Sequence, residues 1–528
     1  MGAALCVILP ILFVFGSFLQ PEPEIWQHIL ETLLFDLLIN TGVLCIGVLA
    51  GTFVLGVGAA WLTASFEFPG RAIFNWALML PLAVPTYVTA FVFIGLLDFS
   101  GPVQTFLRER GILSAQGFPN IRSAGGVIVV LSLALYPYVY LLARNAFETQ
   151  GKRILEVSRV LGNRPAKAFF KSALPMARPW IAGGLTLVMM ETLADFGAVS
   201  IFNYDTFTTG IYKAWFGFFS LAAAAQLSSV LLAFVFLVIF VEQRMRSKMV
   251  FHRMGRSDIN SERIKLNGWK KWMACLFLTV MVSVAFFIPC LQLFLWSMKA
   301  VAVELEGRYI GLLIRSLLFS GMAVLVIVAL GLVMSYVQRL HPDPFTTWVI
   351  RISTMGYAFP GTVLAVGIYI IITVVDRSLI WTVKGVSGIS MTAVFNGTIL
   401  PVLFAYTVRF LTLGYNSIHS GMLRIRKNLD ETAILLGVTG KRLLKRVHIP
   451  MLKNGIFTAA VLVFVDVMKE MPITLMTRPF GWDTLAVKIF ELTSEGEWQR
   501  AALPSITLVL AGLLPLVVLG KGGKRSFL

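Results

Sequence analysis

Four carboxylates stand inside runs of mostly apolar residues. Glu191 and Asp195 fall within Leu185–Phe202, and Asp466 and Glu470 within Val461–Met476. Each pair is spaced i and i+4, which on an uninterrupted helix places both side chains on one face. The shift in numbering that carries Glu191 onto Asp466 also carries Asp195 onto Glu470, with Glu and Asp exchanged. A carboxylate at mid-membrane costs about 2.5–3.5 kcal/mol on insertion scales, so four of them at equivalent positions require a reason. One reason is functional: oxygen ligands lining a route that a cation follows. The other is structural, with each acid neutralised by a proton, by water or by a nearby base such as Lys469.

Other chemistry is not legible in the chain. His28, His252, His341, His419 and His448 form no local cluster, and Cys6, Cys45, Cys275 and Cys290 include no CxxC pair. No metal site is assigned on this basis, and the cysteines read as small buried hydrophobes. There is no HExxH and no GxSxG beside an apolar run, so an intramembrane enzyme is not expected. No GxxxxGK[ST] nucleotide loop occurs either. Gly440-Lys441-Arg442 and Gly523-Lys524-Arg525 lack the upstream glycine and the hydroxyl that would hold magnesium.

The elements that carry the acids follow from composition. Hydrophobic residues make up 57% of the 528 and charged residues 14%, with a mean hydropathy of +0.81. A soluble domain carries about 25% charged residues, so the main solvent is lipid. The apolar runs are near 20 residues long, enough for a helix to cross about 30 Å of hydrocarbon. Backbone pairing within each segment makes the spans helices. Twelve are expected: 3–19, 36–64, 72–97, 124–145, 182–203 and 218–241, then 272–296, 314–338, 349–375, 391–413, 456–476 and 500–520. The first lacks the basic flank and cleavage site of a signal peptide. Almost nothing precedes it, which leaves room for an upstream start.

Loop charge sets the orientation. Segments 20–35 and 477–499 are rich in acids, whereas 146–180, 242–271 and 414–455 are strongly basic, the middle one with nine Lys or Arg against three acids. Basic loops stay in the cytoplasm, which places both termini inside. The net charge of +18 therefore reflects topology, and no nucleic acid partner is expected.

The same shift pairs Pro69 with Pro344, Pro85 with Pro360, Leu161-Gly162 with Leu436-Gly437, Pro175 with Pro450, and Lys213 with Lys488. Trp61 falls opposite Tyr336, and the register slips between about 98 and 145. The chain therefore reads as an all-α polytopic membrane protein of two parallel six-helix repeats, related by an axis along the membrane normal, with a path for solute between them. The expected divisions are 1–35 (first span and outer loop), 36–241 (first repeat), 242–271 (a solvated basic linker), 272–313 (seventh span and outer loop), 314–520 (second repeat) and 521–528 (basic tail).

One pattern recurs in the matched basic loops. The first reads Glu156-Val-Ser158-Arg-Val-Leu-Gly162, then Phe169 and Leu174-Pro175. The second reads Glu431-Thr-Ala433-Ile-Leu-Leu-Gly437, then Leu444 and Ile449-Pro450. An acidic residue, a small one and a turn-forming glycine are followed by a basic amphipathic segment. A lone copy would fit an interfacial helix lying on anionic lipid, but the duplication speaks against that. Both copies resemble the EAA loop of binding-protein-dependent ABC importer permeases. Glu191-Thr-Leu-Ala-Asp195-Phe-Gly197 with Thr206–Gly217, and Val467-Met-Lys-Glu470-Met471-Pro472-Ile473-Thr with Arg478–Lys488, resemble the two halves of fused ferric-iron permeases. Met471 and Ile473 replace the usual Leu and Ala.

The resemblance implies a type I, MetI-like permease in the bacterial inner membrane. It implies that Glu156, Ser158, Gly162, Glu431, Ala433 and Gly437 couple to a separate ATPase, a homodimer with one subunit per loop. The small residue would let the coupling helix approach closely, and the acid would bond to the partner. ATP and Mg would be bound by that ATPase, with no cofactor on this chain. A periplasmic ferric-binding protein would deliver the cargo to outer segments such as 204–217 and 478–498, although Trp215 and Trp482 also suit an interfacial belt. Related permeases carry thiamine or polyamines. A rival of another class is an ion-coupled secondary transporter using the membrane acids.

Overall fold

Apolar side chains over helical stretches leave the backbone no partner in lipid but itself, and the chain folds accordingly. The computed structural model describes residues 1–19, 22–112, 119–151, 165–247, 263–304, 308–387 and 392–525. The principal helices of the first half are α1 (Gly2–Gly16), α2 (Pro23–Thr32), α3 (Leu34–Ser65), α4 (Arg71–Ala77), α5 (Thr86–Leu97), α6 (Pro102–Glu109), α7 (Ala124–Ala146), α8 (Leu174–Ala194), α9 (Gly197–Ile201), α10 (Phe207–Tyr212) and α11 (Leu221–Ser247). Those of the second are α12 (Trp269–Val282), α13 (Ile288–Glu304), α14 (Arg308–Leu340), α15 (Pro344–Ser353), α16 (Gly361–Ser387), α17 (Leu400–Met422), α18 (Lys427–Leu435), α19 (Lys453–Lys469), α20 (Pro472–Thr477), α21 (Leu485–Ser494) and α22 (Trp498–Arg525).

Among the described residues nine helices are long and apolar enough to cross a membrane, and a bent pair, Gly440–Met451 with Lys453–Lys469 at 77°, brings the number to ten. The expected spans at 182–203 and 391–413 are not among them. Their places are taken by α8 and α17, 21 and 23 residues long, which carry charges at Arg178, Glu191 and Arg409.

Four expected spans are not single helices. The stretch 72–97 divides into α4, a 3-10 turn at Leu80–Ala83, and α5, which starts after Pro85. The stretch 349–375 divides in the same way: α15, a turn at Gly356–Ala358, and α16 after Pro360. A proline has no N–H to give and disfavours helix in the residue before it, so each marks a restart. The stretches 182–203 and 456–476 break at Asp195-Phe196 and at Glu470-Met471. Asp195 and Glu470 have extended backbone, ψ 124° and 110°, and lie outside the long helices. The i, i+4 face expected for each acid pair is therefore not formed.

The repeat is visible as geometry. The shift that matches the prolines also carries the end of α8 onto the end of α19, and the π-helical turn Phe169–Ala173 onto Leu444–His448. The register fails on the outer side. α10 is capped by Thr206 and α21 by Thr484, which lies three positions beyond the place the shift assigns, so Lys213 and Lys488 do not occupy equivalent places. Lys213 pairs with Asp205 at 2.7 Å, and Lys488 with Glu491 at 3.3 Å.

Small residues bring the helices together. A Cβ on Gly56 would meet Val139 Cβ at 2.8 Å, and one on the equivalent Gly331 would meet the backbone of Gly414 at 3.1 Å. The leading helix of each half packs across onto the other. Ser229 donates to the Val14 carbonyl at 2.9 Å, and Gly367 leaves room for Pro10 and Val14, so α1 lies against α11 and α16. Trp296 of α13 fills the space beside Gly95 and stacks on Phe91 at 6.3 Å. The linker is more than a solvated connector. Its end forms a two-residue parallel ladder, Phe66 with Ile264 and Glu67 with Lys265, and Arg263 reaches Glu67 at 3.7 Å and Glu148 at 4.0 Å.

Candidate translocation pathway and coupling loop

The two helix breaks meet between the halves. Gly197, just past the first break, leaves no room for a Cβ between Tyr87 and Met471, which follows the second break. Phe196 packs on Phe490 with centroids 5.4 Å apart. Around them lies a cavity of about 180 Å³, lined from the first half by Tyr87, Tyr138, Glu191 and Asp195, and from the second by Tyr357, Arg409, Asp466, Lys469 and Glu470. All four membrane acids singled out in the sequence thus border one space.

Their surroundings differ. Asp195 and Glu470 are each 8% exposed and act as caps. Asp195 Oδ1 accepts from the amides of Ala198 and Val199 at 2.9 and 3.2 Å, and Oδ2 accepts from Thr86 at 2.6 Å. Glu470 Oε1 accepts from the Ile473 amide at 3.3 Å and faces Arg409 Nη1 at 3.5 Å. A helix N-terminus offers unsatisfied N–H groups and a positive dipole end, so a carboxylate there is stabilised in both ways. The breaks match further: Thr208 donates to the Asp195 carbonyl at 2.6 Å and Thr474 to the Glu470 carbonyl at 2.7 Å. Glu191 accepts from the Tyr357 hydroxyl at 3.2 Å, across the halves. Lys469 does not pair with an acid by hydrogen bond; its ammonium donates to the Leu82 carbonyl at 3.0 Å, also across the halves.

Arg409, Tyr138 and Tyr357 are lining groups that sequence reasoning missed, and Arg409 is the one that left a signal. It stands inside the expected span 391–413, and a lone arginine in an apolar run is as much a signal as a lone acid. Both bases of the cavity come from the second half, and Ala194 stands at the position of the first that matches Lys469.

About 25 Å of α19 separates the second break from the basic loop before it. There α18 carries Glu431 and Ala433. It ends in a left-handed turn at Gly437, φ 76°, with the Val438 amide on the Ala433 carbonyl and the Gly437 amide on the Ile434 carbonyl, both at 2.9 Å. This is the turn for which the glycine was expected. Glu431 is exposed. Ala433 is 8% exposed, so its small side chain faces this chain's own body, while Leu435 and Leu436 are 87% and 77% exposed. Glu156, Ser158 and Gly162 lie outside the described residues.

A family model for the "binding-protein-dependent transport system inner membrane component" matches residues 52–247 and again 327–521. The chain belongs to this family of permeases. A fused relative, the Fe(3+)-transport system permease protein FbpB 2 of Haemophilus influenzae, is 26% identical over 92% of this permease and 90% of its own length. The ferric transport system permease protein FbpB of Actinobacillus pleuropneumoniae is 21% identical over 87% of this permease and 67% of the relative. The sulfate transport system permease protein CysT of Salmonella typhimurium is 26% identical, over 37% of this permease and 70% of the relative. Among solved structures, a bacterial alginate ABC transporter aligns at 16% identity with a TM-score of 0.38, covering 47% of this permease and 94% of that chain. As an inner membrane component, the permease sits in the bacterial inner membrane.

Proposed function

We propose that this permease translocates ferric iron in an ATP-driven importer. The observation that carries this reading is the likeness, along almost the entire length of both chains, to a fused permease named for Fe(3+) transport. The cavity suits the cargo. Ferric iron is a hard cation that prefers oxygen ligands, and Glu191, Asp466, Tyr138 and Tyr357 present oxygen groups around one space. Asp195 and Glu470 line the same space while capping the helix breaks that form it. The halves enclose the route, and rigid movement of one against the other opens it alternately to the two sides.

The chain carries no ATPase site in this reading. A separate ATPase homodimer binds ATP and Mg, receives the loops at 156–162 and 431–437, and drives the permease by preferring one of its two states. A periplasmic ferric-binding protein supplies the cargo on the acidic face, with both termini on the cytoplasmic face.

The test is uptake of radiolabelled ferric iron into proteoliposomes holding this chain, its ATPase and the binding protein. Uptake should require ATP. Asp466→Asn with Glu191→Gln should abolish uptake while ATP hydrolysis persists, and Gly437→Leu should let hydrolysis run without uptake. Accumulation of thiamine or a polyamine but not iron would overturn the cargo assignment. Uptake driven by an ion gradient without the ATPase would overturn the class.

A further inference from the structure

The second loop is tied to the membrane helices by a polar cluster whose residues have no counterparts at the matching positions of the first half. At the end of α14, Arg339 Nε donates to Asp430 Oδ2 at 2.6 Å. Its Nη1 donates to the Met422 and Ile425 carbonyls at 2.9 and 3.1 Å, and Nη2 to the Ile425 and Arg426 carbonyls at 3.1 and 3.3 Å. The other oxygen of Asp430 meets His448 Nε2 at 2.8 Å. The His448 side chain is fully buried, and those of Arg339 and Asp430 are 11% and 17% exposed. Tyr336, one turn before Arg339, lays its ring 5.4 Å from that of His448 and donates to the Gly440 carbonyl at 2.9 Å.

This cluster joins the end of α14, the turn after α17, α18 itself, and the basic segment beyond Gly437. A planar guanidinium is suited to it, because its rigid fork of donors spans a carboxylate and several carbonyls at once. Burial by itself would push the Asp430 carboxyl up, but the hydrogen bonds and charges of Arg339 and His448 outweigh it and hold the group below its ordinary value.

The first half lacks every part. In the register of the repeat, Ala64, Leu155 and Ala173 stand where the second half has Arg339, Asp430 and His448. In place of Tyr336, Trp61 packs on Phe147 and Phe169 at 5.3 and 4.8 Å. Nearby, Glu148 draws in Arg71, Arg144 and, from the linker, Arg263.

We infer that Arg339, Asp430 and His448 are positioning residues that make the second coupling helix a stiff lever, and that, with none of the three at the matching positions of the first half, the two strokes of the ATPase enter the permease unequally. The inference rests on the reading of 431–437 as a coupling loop.

The test uses the full complex in nanodiscs, with amide hydrogen exchange over 427–436 and iron taken up per ATP hydrolysed as its two readouts. Arg339→Lys, which keeps the charge and loses the fork, and Asp430→Asn should each speed exchange over 427–436 by roughly tenfold, the scale of lost hydrogen bonds to a charged group. Exchange over 144–151 should stay unchanged, and the uptake ratio should fall. Unchanged exchange and an unchanged ratio in both variants would overturn the inference, as would equal acceleration in both halves. Gly437→Leu separates the two levels. If it leaves the ratio intact, the coupling reading itself fails; if it uncouples while the cluster variants do nothing, only the lever is lost.

Discussion

Glu470 is 8% exposed, and the guanidinium that faces it, Arg409, is 11% exposed and 3.5 Å away. Two charges so enclosed are held by each other more than by solvent, and removing one partner leaves the other buried alone, a loss of about 3–5 kcal/mol. Arg409→Met should therefore lower the thermal unfolding temperature of the purified chain in nanodiscs by several degrees. Arg409→Met combined with Glu470→Met should recover most of that loss. Recovery stays incomplete because Glu470 also caps the Ile473 amide; equal melting of single and double variants would show that the pair is not coupled. Asp430 follows a different logic. Its carboxyl sits below the ordinary value, so its contribution is complete above that value and disappears only as pH falls through its own lower one. At neutral pH the Asp430 carboxylate is therefore ionised and its own contribution is complete. At this scale the sequence reported that acids stood in lipid but not what they did there. Capping is a matter of backbone angles, and spacing alone made Asp195 look like a fourth-residue neighbour of Glu191 on a helix that in fact ends at Ala194.

Helix packing turns on a few glycines. A side chain at Gly56 would press on Val139 Cβ at 2.8 Å and on the Tyr136 carbonyl at 3.0 Å, whereas Gly58 has nothing within 4 Å. Gly56→Leu should destabilise the chain by about 1–3 kcal/mol through overpacking, seen as a lower yield of monodisperse protein and a lower melting temperature. Gly58→Leu should behave as the parent, and equal damage from both would exclude helix contact as the cause. Element positions were largely legible: 36–64 became Leu34–Ser65, and 124–145 became Ala124–Ala146. The breaks were less so. Pro85 and Pro360 were noted as matched residues but not used as restarts, although a proline before a helix is a direct physical signal. The break at Glu470 carries the same mark in Pro472, which opens α20, but the break at Asp195 has none, because apolar content continues on both sides of it and hydropathy cannot register a local change of ψ.

The repeat is the most legible property of the whole molecule, because sequence and geometry share one spacing where the membrane helices run. It fails at the outer helices capped by Thr206 and Thr484, where a chance lysine match hid a slip of three positions. The pairing of the linker with β-structure at Phe66 and Glu67 was invisible, since two residues of ladder leave no periodic trace. The crossing of α1 onto the second half has its own test. Deleting residues 1–19 should loosen α16, read as faster amide exchange around Gly367, and leave the α3–α7 contact at Gly56 protected; the opposite pattern would place α1 with its own half.

Pro10 rests against Gly367, and a ribosome makes the two far apart in time. It must add about 350 residues between them, which at about 5–20 residues per second takes roughly 20–70 s. During that interval the leading segment has inserted but its final neighbour does not exist. Biogenesis therefore contains a waiting period in which a nascent helix with no charged side chain must persist in bilayer or beside an insertase, and the two repeats cannot mature one after the other as separate products.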